Sequence, residues 1–546
     1  MGYPTKVQLI SRKKGADQYY INFPTAVAEA MEFQKGEIVE WIIEDKANII
    51  AHRPVVPPSP VIIEKKNEAS LLKEWEAIWQ SCEQAVCATS PCAERLRQHL
   101  LAHLICPGRH TVSGLITVLG GQFKDWTADY SLYSKDRVDA DVIFEQVRRQ
   151  IDGLDAPGRP LCVALDDTIL RKVGKCIPGT AYRKDPLGPA FNLNLVWAQR
   201  RLQISAAVAD QSGEVRMIPI SFEEASTPRK PRKGTDEEVV VAYKEQMKQR
   251  NLNALAIQSL EQLQQQRTQD NGGVTPGLHV VVDGSYTNRK VLRKLPEKTT
   301  LIGRIRKDAK LSAKPEEQHP KGRKKFYGED LPTPEQIRQD PDIPWVKVCA
   351  RAGGKMREFE VKTIAPVRWR AAGEMDLRLV VIRPVGYRLR KGSRRLYTRP
   401  AYLICTYPEL PIDELLQQYI WRWDIEVNHR DEKTILGVGQ AQVRNENSIE
   451  NIPATAVAAF AMLHLAAIKA YGQGGQPTAI PPAKWRTPSK KKRPSTQDLI
   501  NELRRELWAK AIRPEILNDF VNKTKADTKS VKYEPDLCSS LFAATA

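Results

Sequence analysis

Two short apolar runs that each end in an acidic residue most constrain the fold of this chain. Leu161–Leu165 runs directly into Asp166 and Asp167, and Leu278–Val282 runs into Asp283. A continuous apolar run of this length, bounded by polar residues, is typical of a strand that is buried on both faces of an α/β sheet. The two runs therefore predict two buried strands that present acids at corresponding ends.

A third acid lies in a helical stretch further along the chain. Tyr419, Arg422, Glu426 and Lys433 stand at offsets that, at about 100° per residue, place all four within about 60° on one face of a helix. Such a stripe alone is most often a solvent-facing surface with ion pairs between neighbouring turns. A carboxylate flanked by cations and a phenol is also the arrangement that a nuclease needs to hold a metal and the phosphates around it.

The charge balance points to a polyanionic partner. The 546 residues contain 84 Lys and Arg against 65 Asp and Glu, a formal net charge of +19. Such an excess favours nucleic acid through counterion release, although a basic solvated surface is the plain alternative. Several basic segments fit a path for phosphates, each of them alone an ordinary loop. These segments are 171–175, 229–233, 304–307, 323–325 and 388–395.

The chain carries no signal for export or membrane insertion that we recognise. Its first residues lack the apolar middle of a secretory signal, and no apolar run approaches the roughly 20 residues that span a bilayer. The nine cysteines are an odd number, which favours reduced thiols in the cytoplasm. The cysteines and histidines between 82 and 106 match no common zinc spacing.

The signature Y-x2-R-x3-E-x6-K, formed by Tyr419, Arg422, Glu426 and Lys433, resembles that of the DDE-type insertion-sequence transposases. These enzymes share an RNase H-like core. The run 164–168 with 172–175 is similar to their first-aspartate block, and 280–283 is similar to the second. The resemblance covers roughly residues 90–520, and residues 7–54 separately resemble the AbrB-like swapped-hairpin DNA-binding domains, which pair as dimers.

The resemblance implies an α/β fold in which an inserted β subdomain, at 309–400, interrupts an RNase H-like catalytic core. The two parts of the core are 159–308 and 401–471. A small mostly-β AbrB-like unit at 1–55 and a helical DNA-binding domain at 61–155 precede the core, and a basic tail with a helix follows at 472–546. In the helical domain, 111–116 starts either the second helix of a helix-turn-helix or a plain packing helix.

The family also implies the chemistry. Asp167, which directly precedes Thr168, would join Asp283 and Glu426 as the catalytic ligands of two Mg2+ or Mn2+ ions. Asp166 would then face a flanking helix or bond to the turn, because adjacent strand residues face opposite sides. The partner would be double-stranded DNA, both transposon ends and target, bound by a homodimer that cuts the ends and joins the 3′-hydroxyl to target DNA.

Further side chains complete the expected DNA contacts. Tyr419, Arg422, Lys433, Lys172 and Lys175 would hold phosphates. Trp423 would either stack on an unpaired base or pack in the core.

Two other functions are compatible with parts of this pattern. A DNA-binding regulator derived from a transposase would use the basic surface without cutting, and the three intact acids argue against it. A metal-independent hydrolase with paired carboxylates would leave the +19 charge unexplained.

Overall fold

The structure is a computed structural model of the chain, and it divides into two compact units, Met1–Glu68 and Ala69–Ala546. It describes residues 7–10, 18–21, 38–45, 48–52, 70–135, 137–154, 158–185, 188, 191–209, 214–226, 228, 230–249, 251–315, 325–472 and 493–511.

The first unit contains two antiparallel strand pairs. Strand β1 (Val7–Ile10) pairs with β2 (Gln18–Ile21), and β3 (Glu40–Ile43) pairs with β4 (Ile49–His52). All four strands lie in the unit at 1–55 that is expected to be mostly β. Much of the segment 7–54 lies outside the described residues, so the AbrB-like resemblance of this unit stays a prediction.

The second unit begins with helices. They are α1 (Leu71–Gln80), α2 (Glu83–Val86), α3 (Ser90–Ile105), α4 (Val112–Val118), α5 (Thr127–Ser134) and α6 (Ala140–Asp152), with a 3-10 turn at Gly121–Phe123. The hydroxyl of Thr111 caps α4 by accepting a hydrogen bond from Gly114 N at 3.1 Å. Because α4 buries four of its seven residues, it fits a packing helix better than a recognition helix.

An eleven-stranded mixed sheet forms the centre of this unit among the described residues. Its strands are β5 (Leu161–Arg171), β6 (Ala181–Lys184), β7 (Leu195–Ala209), β8 (Val215–Glu224), β9 (Leu278–Val282), β10 (Thr299–Arg304), β11 (Leu311–Ala313), β12 (Val346–Ala352), β13 (Lys355–Trp369), β14 (Leu377–Ile382) and, further along the chain, β17 (Ala401–Cys405). A separate hairpin joins β15 (Gly386–Tyr387) to β16 (Leu396–Tyr397). The order across the sheet is β11-β13-β14-β17-β10-β9-β5-β7-β6, with β12 on β13 and β8 on β7.

The strands of the predicted insertion, 309–400, do not form a separate layer. Strand β14 pairs antiparallel with β17, from Arg378 opposite Cys405 to Ile382 opposite Ala401. Since β17 also pairs with β10 of the core, the region extends the same sheet. Sequence patterning shows that a strand exists but not which strand it pairs with, which is why a separate subdomain was expected.

The remaining helices cover the sheet. They are α7 (Glu237–Gln249), α8 (Leu252–Asp270), α9 (Arg289–Leu292), α10 (Pro334–Gln339), α11 (Ile412–Trp421), α12 (Trp423–Thr434), α13 (Glu446–Tyr471) and α14 (Thr496–Ala511). Within the described part of the chain, α13 is the one helix that is long and apolar enough to cross a membrane. Of its most apolar window, 94% is buried inside the protein, as in a core helix.

The sheet separates two apolar clusters, and strand alternation assigns each side chain to one of them. On β5, Leu161, Val163 and Leu165 pack into the cluster that contains α8 and α13. Their neighbours Cys162 and Ala164 pack into the cluster under α11 and α12. Whether a residue of β5 has an odd or an even number therefore decides which helices its side chain packs against.

The division into two units predicts that the second unit folds alone. We expect a chain that begins at Ala69 to show a helical circular dichroism spectrum and a cooperative thermal transition, because the described residues that form its two apolar cores all belong to the second unit. Full-length protein is the control. A spectrum of an unfolded chain would show that the first unit is required for folding.

Candidate active site

The parallel pairing of β5 with β9 brings two acids together. Ala164 lies opposite Val281 and Leu165 opposite Val282, so the next residues, Asp166 and Asp283, lie side by side. Partners in a parallel pair point to the same face of the sheet. For Asp166 and Asp283 this is the face of Ala164 and Val281, which is covered by α11 and α12.

Asp167 points to the other face. Its Oδ1 accepts a hydrogen bond from the Tyr286 hydroxyl at 2.9 Å, and its Oδ2 lies 3.3 Å from Nε of Arg200. The sequence predicts Asp167 as the metal ligand and Asp166 as the residue that faces a flanking helix or bonds to the turn. The structure places Asp166, and not Asp167, on the face with Arg422 and Glu426, because the register of β5 against β9 aligns Asp166 with Asp283. Which of the two acids binds a metal stays a prediction.

The helical stretch that carries Glu426 consists of α11 and α12. The sequence predicts one helix from 413 to about 436, and in the structure α11 ends at Trp421 and α12 begins at Trp423, with Arg422 between them in right-handed helical conformation (φ −48°, ψ −34°). Nη1 of Arg422 lies 3.4 Å from Oδ2 of Asp166, and its Nη2 lies 3.5 Å from Oε1 of Glu426. Arg422 therefore bridges the first and third acids of the site.

The charges around Asp166 act on its protonation. Burial raises the pKa of Asp166 to about 6, interactions with His429 and Arg422 oppose this rise, and the negative charges of Asp283 and Glu426 add to it. A carboxyl with such a pKa holds its proton more readily than an exposed one. A cation that arrives at these three acids would stabilise the ionised carboxylates and so lower the pKa of Asp166 again.

The two other members of the predicted stripe belong to the same cluster. Burial lowers the pKa of Lys433, while the carboxylates of Glu432, Glu426 and Asp166 oppose the change. Burial raises the pKa of Tyr419, which lies within the field of Arg422 and Asp283. The stripe therefore faces the acids and not solvent.

The turn after β9 holds the second acid in place. Oδ1 of Asp283 accepts hydrogen bonds from the backbone N–H of Ser285, at 2.8 Å, and from the Ser285 hydroxyl. Beside it, β10 pairs in parallel with β9, with Gly303 opposite Val282. The residue that follows Gly303, Arg304, therefore lies beside Asp283. The sequence identifies Arg304 only as part of a basic segment, because it does not show which strands β10 pairs with.

The predicted phosphate contacts of Lys172 are not supported. Its side chain is buried, and Nζ donates hydrogen bonds to the carbonyls of Gly439 at 3.0 Å and Ala441 at 2.7 Å. A lysine that is held by two carbonyls inside the protein is not available to DNA. Lys175 is exposed. Trp423 is 65% exposed, so it is not a core residue.

A buried polar chain behind Asp166 was not expected from the sequence. Gln203 lies opposite Asp166 in the antiparallel pairing of β5 and β7, and its Nε2 donates to Oε1 of Glu432 at 3.0 Å. The other oxygen of Glu432 lies 3.5 Å from Nδ1 of His429. His429 follows Glu426 by three residues on α12, and this spacing is the one signal in the sequence that could have included it.

The acids fit a divalent metal ion by their chemistry. In the described part of the chain, no three His, Cys, Asp or Glu side chains stand close enough to hold an ion as they are. The guanidinium of Arg422 takes the position between Asp166 and Glu426 where a cation would be attracted. Carboxylate oxygens are hard ligands that suit Mg2+ and Mn2+.

The family model described as DDE superfamily endonuclease matches residues 90–374, more than half of the chain. The chain therefore belongs to the DDE superfamily endonucleases, whose members generally use divalent metal ions. The matched part contains Asp166 and Asp283 and ends before Glu426. A comparison with curated proteins found no match to the chain.

The pKa of Asp166 predicts how stability depends on pH in metal-free protein. The pKa rises from about 4 in the unfolded chain to about 6 in the fold, so the protonated form stabilises the fold below pH 4, and this stabilisation is lost as pH rises through 6. Asn resembles the protonated acid. We expect Asp166→Asn to raise the free energy of unfolding at pH 7.5 by on the order of 2 kcal/mol, measured by urea denaturation in EDTA.

Asp167→Asn is the matched control, because it removes the same charge on the other face. It should be less stable than wild type at pH 7.5, since it weakens the contacts of Asp167 with Tyr286 and Arg200. An Asp166→Asn effect that does not diminish towards pH 4 would contradict the assigned pKa.

Proposed function

We propose that this protein is a DNA transposase that binds the ends of an insertion sequence, cleaves them by hydrolysis and joins the freed 3′-hydroxyl to target DNA. One observation carries the proposal: Asp166, Asp283 and Glu426 meet on one face of the sheet with Arg422 and Lys433 beside them, in a chain of the DDE superfamily endonucleases. The net charge of +19 supports a DNA substrate.

Different residues of the site would bind the metal ions and the phosphates. Asp166, Asp283 and Glu426 would hold two divalent ions, most simply Mg2+ or Mn2+, and bound ions would stabilise the charge that develops on the phosphate oxygens. Arg422, once released from the carboxylates, would donate hydrogen bonds to a phosphate next to the cut. Lys433 and Tyr419 would hold the same strand from the same face.

The proposed reaction has two steps that use the same site. In the first, water attacks the phosphorus atom at the transposon end, the P–O3′ bond breaks, and a 3′-hydroxyl and a 5′-phosphate result. In the second, that 3′-hydroxyl attacks a target phosphodiester, and the new P–O bond replaces the bond to the target 3′-oxygen, which leaves with a proton. The exposed indole of Trp423 can stack on a base unpaired near the cut.

The assembly and the compartment belong to the same proposal. The first unit would act in dimer formation and DNA binding, as its resemblance to AbrB-like domains implies, and the synaptic complex would be a homodimer. We place the protein in the cytoplasm, on prokaryotic DNA.

The assignment of the acids predicts which variants lose cleavage. Asp166→Asn, Asp283→Asn and Glu426→Gln should each abolish nicking of supercoiled plasmid in Mg2+ or Mn2+, because each removes a metal ligand. Binding to transposon-end DNA in EDTA should stay nearly unchanged, since the phosphate contacts remain. Asp167→Asn should still cut, with at most a lower yield of folded protein.

The reverse pattern, in which folded Asp167→Asn is inactive and Asp166→Asn cuts, would show that Asp167 is the metal ligand, as the family resemblance implies. Wild-type protein that binds transposon ends and never nicks them would favour the DNA-binding regulator instead.

The cations of the stripe predict a salt effect. Arg422→Ala and Lys433→Ala should each lower the slope of log K against log salt by about 1, the value for one lost phosphate contact. Fluorescence anisotropy of an end duplex between 50 and 300 mM KCl measures it, with Ca2+ at one fixed concentration so that an ion occupies the acids and Arg422 is released. Slopes equal to that of wild type would show that the two side chains only stabilise the acid cluster.

A further inference from the structure

A cleft of about 1030 Å³ begins where β9 and β10 end and runs between the core and the extended part of the sheet. Gly284, which follows the catalytic Asp283, lies at one end, and Arg304 lies next to it. Lys307, Trp369, Arg399 and Tyr402 line the rest. The cleft thus begins beside the residue that follows Asp283, at the strand ends that carry Asp283 and Arg304.

The charge of this cleft is positive and partly uncompensated. Five cations and two acids line it. Arg306 is paired with Asp308, with contacts of 3.0 Å from Nε and Nη2, and Arg338 is paired with Glu335. Among the described residues no ion pair forms with Arg304, Lys307 or Arg399, and all three are exposed.

The size of the cleft restricts what these cations can bind. The volume of the cleft is that of a pocket for a drug-sized ligand or a few nucleotides. A DNA duplex, whose major groove alone is about 12 Å wide, is too large to be enclosed in the cleft. Its lining also includes apolar and aromatic surface from Ile305, Pro384, Pro400 and Trp369. Positive charge beside aromatic surface is the combination that binds single strands, through phosphate contacts and base stacking.

We propose that this cleft binds a single-stranded segment of DNA that continues from the scissile phosphate. The inference rests on the proposed function, because it takes DNA as the substrate of the adjoining acids. Arg304, next to Asp283, contacts the first phosphate beyond the cut. Lys307 and Arg399 contact the following phosphates, and Trp369 provides a surface for a base.

Full-length protein and fluorescein-labelled oligo(dT) of 12 nucleotides, in EDTA, test the proposal by anisotropy. Lys307→Ala and Arg399→Ala should each weaken binding about 3- to 10-fold at 100 mM KCl and lower the salt slope by about 0.7, the value for one phosphate of a single strand. The double variant should lower the slope by about 1.4. Lys355→Ala is the control, because this exposed lysine of β13 lies at the opposite end of the strand from Trp369.

A blunt 20-base-pair duplex separates a single-strand site from general basic attraction. The Lys307 and Arg399 variants should bind it within about 2-fold of wild type. Equal losses on duplex and oligo(dT), or losses equal to that of Lys355→Ala, would overturn the proposal.

Plasmid nicking in Mn2+ keeps this proposal apart from the function on which it rests. If wild type nicks and the cleft variants bind oligo(dT) like wild type, the cleft proposal alone fails. If wild type binds oligo(dT) through Lys307 and Arg399 and does not nick, the cleft stands as a single-strand site and the transposase function fails.

Discussion

The parallel pairing of β5 with β9 is the constraint on which the candidate site depends. It fixes Leu165 opposite Val282, and the acids that follow are then neighbours. Because side chains alternate along a strand, a shift of the register by one residue would turn one of the acids to the other face of the sheet. The apolar residues prevent that shift, since Val163 and Ala164 already pack into different cores. The same burial that stabilises the fold therefore selects Asp166 for the site.

The third acid is brought to this face by the helical stretch that α11 and α12 form. Arg422 stands between them in right-handed helical conformation and contacts both Asp166 and Glu426. Two carboxylates this close repel each other, and a guanidinium between them compensates part of that cost. An internal cation therefore occupies the position to which the acids would attract a metal ion.

Much of this arrangement could be predicted from patterns that depend on local physics. Both buried strands, the shared face of Tyr419, Arg422, Glu426 and Lys433, and the helical region before the sheet follow from periodicity. The expectations that the structure does not support depend on contacts between residues that are distant in sequence. The sequence does not distinguish Asp166 from Asp167 until the pairing of β5 with β9 is known. It does not distinguish Lys172 from a DNA-binding lysine until its contacts with the carbonyls of Gly439 and Ala441 are known.

The pairing of β17 with both β10 and β14 has a consequence for substrate binding. Strand β10 carries Arg304 beside the acids, and β14 connects the extended strands to the same sheet. Asp166 lies on β5 and Asp283 directly follows β9, and these two strands pair with neither β14 nor β13. Residues of the region 309–400 can therefore change the geometry of the cleft, while the register that aligns Asp166 with Asp283 is kept. In such a fold, the parallel strands hold Asp166 and Asp283 in place, and the antiparallel strands would set the contacts of the proposed DNA-binding cleft.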